Sequence, residues 1–270
     1  MISIRRRYTP FEWHKELFDF AKDKDITLFS SPFDETAVDL LQDLGAPAYK
    51  IASFELVDLP LIKRAAECAK PLLISTGMAS LDEVREALNV ALKYGCGDVL
   101  LFHCISSYPA PVADSNLKNI EFLRSEFGIE VGLSDHTMTN LASTISIGLG
   151  ATAIEKHFKP SDETIGPDSS FSITPNQLSL LVNDYNDAWR TIGKAGFHRS
   201  LAEEGSRKHR RSLYFMSNLK KGDIISLKDI RAIRPGFGLP PKFFDSLIGR
   251  TVCCDVERGD PVSLDVITPK

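Results

Sequence analysis

Six short apolar runs, each closing in small or polar residues and each set apart from the next by a stretch of helical periodicity, constrain this chain more than any other feature. They are ITLFSS, AYKIAS, PLLISTG, VLLFHC, EVGLSD and ATAIEK. Runs of this kind mark strands covered on both faces, as in a parallel sheet. Helices are expected at 11–24, 36–44, 59–68, 81–94, 116–127 and 141–149, with a further amphipathic one at 175–192. In the first of these Trp13, Leu17, Phe18 and Ala21 fall on or near one face; Pro10 suits its start and Gly45 the stop of the second. Strand and helix in alternation require a mostly parallel sheet joined by right-handed crossovers. A doubly wound open sheet gives the same alternation, but no G-x-G-x-x-G follows any run. That weakens a dinucleotide-binding reading, whereas polar strand ends suit the carboxyl face of a barrel.

The 270 residues leave room for one barrel-sized domain and a small appendage. Charged residues make up 25% and the net charge is −4, which suggests neither a nucleic-acid surface nor a disordered tail. Five cysteines without a C-x-x-C spacing read as reduced thiols of a cytoplasmic protein. The opening MISIRRRYTPFEW is basic with no apolar core behind it, and no run is long enough to span a bilayer, so neither export nor a membrane is expected. The chain divides into a barrel domain at 1–195, a linker at 196–210 rich in Gly, Ser and charge, and a second domain at 211–270. The last has short β-type runs punctuated by KKGD, RPGFG and ERGD turns.

Two of the runs are followed at once by a histidine, His136 and His157, 21 residues apart, about one strand-helix repeat. On neighbouring strands they would face one cavity, and two imidazoles there suit a divalent metal, with Asp135, Glu155 or Asp168 as oxygen ligands or supporting partners. Each could equally cap its own strand by hydrogen bonding. Lys50 and Glu55 in KIASFE stand where a cation could hold a phosphate or carboxylate and a carboxylate could manage protons. Ser106, Ser107 and Tyr108 suit a polyhydroxylated ligand, or a plain turn. Asp168 lies in a loop expected to overhang the pocket, and Arg234 in the RPGFG turn suits a carboxylate.

The motifs SSPFD, KIASFE, STGMASLDE, the Tyr-Pro segment, GLSDHT, IEKHF, GPDS and IRPGFGL, in this order, resemble the sialic acid synthases. The resemblance covers essentially the whole chain. It implies a (β/α)8 barrel followed by an antifreeze-like, or SAF, domain, and a phosphoenolpyruvate-dependent transferase that makes nonulosonic acids. YTPFEWHKEL, SSYPAP and GPDSSFS are most similar to the pseudaminic acid synthase subgroup. N-acetylneuraminate synthases tend instead to have Asn before the Tyr-Pro element and PDH for PDS. By resemblance, His136 and His157 hold manganese, with magnesium or cobalt as substitutes. Lys50 and Ser134 contact the phosphate or carboxylate of phosphoenolpyruvate with Ser31 close by, and Glu55 lies near the reacting carbons. Ser106, Tyr108 and Asp168 face the amino sugar, and Arg234 enters the partner subunit's site in a domain-swapped homodimer.

Two departures stand out. The family's two opening strand-helix units, with AEIG-x-NH-x-G and Lys-Phe-Gln segments, have no counterpart, so an incomplete barrel with two unpaired edges is expected. Asp162 also stands where the family has an arginine. The expected reaction joins phosphoenolpyruvate to 2,4-diacetamido-2,4,6-trideoxy-L-altrose, giving pseudaminic acid and phosphate. The alternatives are an N-acetylneuraminate synthase, or a non-catalytic remnant that binds metal, sugar or a full-length partner.

Overall fold

The computed structural model describes residues 9–269. The basic opening before Thr9 lies outside them. The described residues divide after Gly193 into two compact units.

The first unit alternates as expected: α1 (Phe11–Asp23), α2 (Glu35–Asp43), β1 (Tyr49–Ile51), α3 (Leu59–Ala66), β2 (Leu72–Ser75), α4 (Leu81–Lys93), β3 (Val99–Cys104), α5 (Asn119–Phe127), β4 (Glu130–Asp135), α6 (Leu141–Gly148), β5 (Ile154–Lys156) and α7 (Pro175–Ile192). Short polar side chains start α2, α3 and α4. Asp34 accepts from the Ala37 N–H, Asp58 from the Leu61 N–H, and Ser80 and Glu83 cap each other's backbone at α4. Gly128, at φ +67°, ends α5 in the left-handed conformation that turns the chain into β4.

The five strands form one parallel sheet in sequence order, β1-β2-β3-β4-β5. The first of the six apolar runs is not a full strand. Ser30 alone makes a parallel bridge to Tyr49, its carbonyl accepting from the Lys50 N–H at 3.1 Å. Among the described residues that run has a neighbour on one side only, so its ladder is short. The sheet is strongly curled, because Lys50 on β1 and Glu155 on β5, with three strands between them in the order, lie 3.5 Å from each other. Packed against it are the buried faces of α2 to α5, including Leu41, Ile62, Ala87 and Ile120, which close a continuous core with Ile51, Ile74, Leu101 and Val131. Helix α1 contributes less than its periodicity suggests. Ala21 is buried and Phe18 packs on the core, but Trp13 and Leu17 are exposed beside Phe20.

The second unit begins with α8 (Leu201–Glu204), whose Ser200 and Glu203 cap each other inside the expected linker. Strands β6 (Ser212–Phe215) and β7 (Ile230–Ile233) pair antiparallel, and α9 (Phe244–Leu247) follows. Isolated antiparallel bridges, such as Leu219 to Val256 and Ile224 to Thr251, extend the weave. Leu213, Phe215, Ile225, Val252 and Val262 form its own core. Among the described residues no helix is long and apolar enough to cross a membrane.

Candidate active site

The curl brings the carboxyl ends of all five strands around a cavity of about 300 Å³. Lys50, Ser75, Cys104, Ser134 and Glu155 reach it from β1 to β5 in turn, and His136, His157, Tyr108 and Ser31 come from the loops beyond the strands and from the Ser30 bridge. Strand register explains the histidine spacing. Ser134 pairs with Glu155 and Asp135 with Lys156, so the same 21-residue offset makes His136 and His157 the next pair along. Because side chains alternate, Ser134 and Glu155 share a face with the two imidazoles.

A polar chain runs around the wall. The buried Lys50 ammonium donates to Ser75 Oγ at 2.6 Å and lies 3.5 Å from Glu155 Oε2. Glu155 Oε1 accepts from Ser134 Oγ at 2.6 Å, and that oxygen lies 3.3 Å from His136 Nε2. His136 Nδ1 is 2.8 Å from the Ile105 carbonyl, which can only accept. Nδ1 therefore carries the proton of the neutral ring, and the Nε2 lone pair is left on the cavity side.

Around the histidines is an aromatic cluster. The His136 and His157 rings are 5.4 Å apart, Tyr108 stacks 4.3 Å from His136 and 5.8 Å from His157, and Phe171 closes on Tyr108 at 5.3 Å. His157 Nδ1 lies 3.8 Å from Asp168 Oδ2. Burial, and then the neighbouring His136, hold the His157 pKa below the usual imidazole value. Burial pushes the Tyr108 phenol up, helped by the charges of Cys104, Glu155 and Asp168. Two adjacent imidazoles, the Nε2 lone pair of His136 facing the cavity and His157 held below its usual pKa, suit a divalent cation. Among the described residues no group of three or more His, Cys, Asp or Glu is arranged to hold a metal, so remaining positions would fall to water or substrate oxygens.

The other expected site residues are distributed differently. Ser106 packs by Gly77, where a Cβ would run into Ser106 Oγ, Ser53 Oγ and Cys104 Sγ. Glu55 ends the 3-10 turn after β1 and is not among the cavity's lining residues; its Oε2 is buried without a hydrogen-bond partner, and burial raises its pKa. Arg234 is exposed on the second unit, and Asp162 is a solvent-facing partner of Lys159 at 3.5 Å. Sequence reasoning missed Ser53, Ser75, Cys104 and Lys156, and it named Glu155 as a metal ligand or a supporting partner of one. Their common signal is position, at or just beyond the carboxyl end of a strand. A second cavity of about 390 Å³ opens beside the first, sharing Ser31, Lys50 and Glu155 and lined by Phe29, Phe33 and Leu40.

Comparison with known proteins places this geometry in context. The NeuB family model matches residues 2–196 and the SAF domain model residues 210–267. The pseudaminic acid synthase of Helicobacter pylori is 37% identical over 260 residues, 96% of this chain and 76% of that protein. The N,N'-diacetyllegionaminic acid synthase of Campylobacter jejuni is 37% identical over 240 residues, 88% of this chain and 72% of that protein. The crystal structure of a spore coat polysaccharide biosynthesis protein from Bacillus subtilis has a TM-score of 0.66 at 30% identity, covering 100% of this chain and 82% of that one.

Proposed function

The chain belongs to the NeuB family of transferases and carries a SAF domain behind it, and from that premise we propose that it condenses phosphoenolpyruvate with 2,4-diacetamido-2,4,6-trideoxy-L-altrose to give pseudaminic acid and phosphate. One observation carries this reading: Lys50, Ser134, His136 and His157 line a single cavity at the carboxyl ends of a curled parallel sheet. The sheet is read as part of an eight-stranded barrel. The chain is assigned to the cytoplasm.

In this reading Lys50, 7% exposed, holds a phosphate or carboxylate oxygen of phosphoenolpyruvate, with Ser134 in contact and Ser31 close by. His136 through Nε2 and His157 would hold a divalent cation, manganese first and magnesium or cobalt as substitutes, which when bound supplies Lewis-acid polarisation of the sugar aldehyde. Tyr108, Ser106 and Asp168 are assigned to the amino sugar, Asp168 Oδ2 also lying 3.8 Å from His157 Nδ1. Glu55, kept in its protonated form to higher pH by burial, is assigned the proton transfer near the reacting carbons, although it lies outside the cavity's lining. The enol carbon attacks the aldehyde carbon, water adds to the cationic carbon left behind, and the C–O bond to phosphate then breaks. Arg234 is assigned to the substrate carboxylate in the site of a second copy within a homodimer.

The test is phosphate release by the purified chain with phosphoenolpyruvate, Mn²⁺ and either the altrose sugar or N-acetylmannosamine, beside a His136→Ala control. Release with the altrose sugar alone, abolished in the control, is the expected result. Release with N-acetylmannosamine instead would make the chain an N-acetylneuraminate synthase. No release from folded protein would leave the non-catalytic alternative.

A further inference from the structure

Behind the two histidines lies a buried pair of charges that the proposed reaction does not use. Asp135 and Lys156 are register partners on β4 and β5, and each immediately precedes one of the histidines. By strand alternation they fall on the strand face opposite the row of Ser134, Glu155 and the imidazoles, although Lys156 also borders the cavity. Lys156 Nζ lies 2.8 Å from Asp135 Oδ2, with side chains 4% and 1% exposed. Lys156 also donates to the Thr137 carbonyl at 2.7 Å and the Thr139 carbonyl at 3.3 Å. Asp135 accepts from the Thr137 N–H at 2.8 Å through Oδ1 and from Ser143 Oγ of α6 at 2.6 Å through Oδ2.

The chain is therefore gripped on both sides of His136. The residue before it supplies the carboxylate, and the residue after it gives both its N–H and its carbonyl to the same ion pair. The cation of that pair comes from the residue before His157. A buried ion pair contributes little that well-packed apolar side chains of the same volume could not, so its presence here asks for a reason other than stability. Its contacts fix direction: each hydrogen bond constrains the backbone from which an imidazole projects.

We propose that the Asp135–Lys156 pair is a positioning brace that sets the separation and orientation of His136 and His157, so that both rings address one ligand. The inference rests on the reading of the two histidines as a cation-binding pair, and the experiment separates the two. Lys156→Met, Asp135→Asn and the double variant are compared with wild type and with His136→Ala, all as the full chain. Three measurements are made: Mn²⁺ binding by calorimetry without substrates, thermal melting by circular dichroism, and, free of metal, the ¹⁵N–¹H correlation of the histidine rings.

Wild type is expected to bind Mn²⁺ and His136→Ala to lose that binding. The brace variants should melt cooperatively yet bind Mn²⁺ about 10- to 100-fold more weakly. Their metal-free spectra should replace the single Nδ1–H form of His136 by an average of the two tautomers. Folded variants with native affinity and an unchanged His136 tautomer would overturn the proposal. Where a single variant fails to fold because it strands one buried charge, the double variant, which leaves none, decides. A double variant that fails to fold also overturns it, since the pair would then support the whole unit rather than the histidines. Unaltered Mn²⁺ binding in His136→Ala would sink the cation reading instead, and the metal-free tautomer measurement would still decide the brace.

Discussion

Replacing Lys50 by Met separates what the fold favours at this position from what the site requires. The residue is 7% exposed, and its ammonium has one close acceptor, Ser75 Oγ at 2.6 Å. Its ionic partner Glu155 is 3.5 Å away with a side chain 39% exposed, and the Phe102 ring centroid is at 5.7 Å. The substitution removes a hydrogen bond from a charged donor, about 1.5 kcal/mol. It also removes an ion pair open to solvent on one side, under about 1 kcal/mol, and a cation–π contact of about 0.5–1 kcal/mol. Those losses come to about 3 kcal/mol. Against them stands the desolvation of a buried ammonium, several kcal/mol, which Met does not incur while filling nearly the same volume. The two sides nearly cancel, so urea unfolding followed by circular dichroism should place the variant within about 1 kcal/mol of wild type. Phosphate release should nevertheless fall by about 10²–10³, the usual consequence of removing a charge aimed at a reacting group. A stability loss above about 3 kcal/mol would refute the reasoning by making Lys50 a structural anchor, and so would undiminished turnover.

Other perturbations test the scaffold. Leu101→Ala, in a fully buried position of the central strand β3, should cost about 2–5 kcal/mol in urea unfolding. Gly132→Ala should cost about 1–3 kcal/mol by the same measurement: its Cβ would lie 2.7 Å from both the Ala153 carbonyl oxygen and the Phe102 ring, and a backbone carbonyl cannot swing aside. His103 is buried, its Nε2 donating to the Ser115 carbonyl at 2.8 Å, and burial holds its pKa below the ordinary value. Since the unfolded chain takes up the proton first, its contribution is complete above about pH 6.5 and is lost as pH falls through the lower folded pKa. The melting temperature of wild type should therefore drop more steeply below about pH 6.5 than that of His103→Gln, which keeps a donor but does not titrate.

The order of elements was written in the sequence, because a strand covered on both faces must be apolar throughout and a helix laid over it must be amphipathic. The start of α1 after Pro10 and the stop of α2 before Gly45 could be read from single residues, since helix ends are set locally. The histidine pair was legible for a related reason: a 21-residue offset in sequence became, unchanged, the register of β4 against β5. The first apolar run misled, because β-propensity says how a segment pairs only when a neighbour is present on each side. Periodicity in α1 likewise marked an apolar stripe without saying that Trp13 and Leu17 would stay exposed.

What the sequence by itself determined was therefore the set of elements, their order, and which residue types stand at strand ends. Only the tertiary structure decided that Lys50 meets Glu155 across the curl, that His136 is held as one tautomer by the Ile105 carbonyl, and that Asp135 and Lys156 grip the backbone beside both histidines. The physical reason is range. Capping and periodicity act over a few residues and leave a local signature, whereas the curl of a sheet and the burial of a charge depend on everything packed around them.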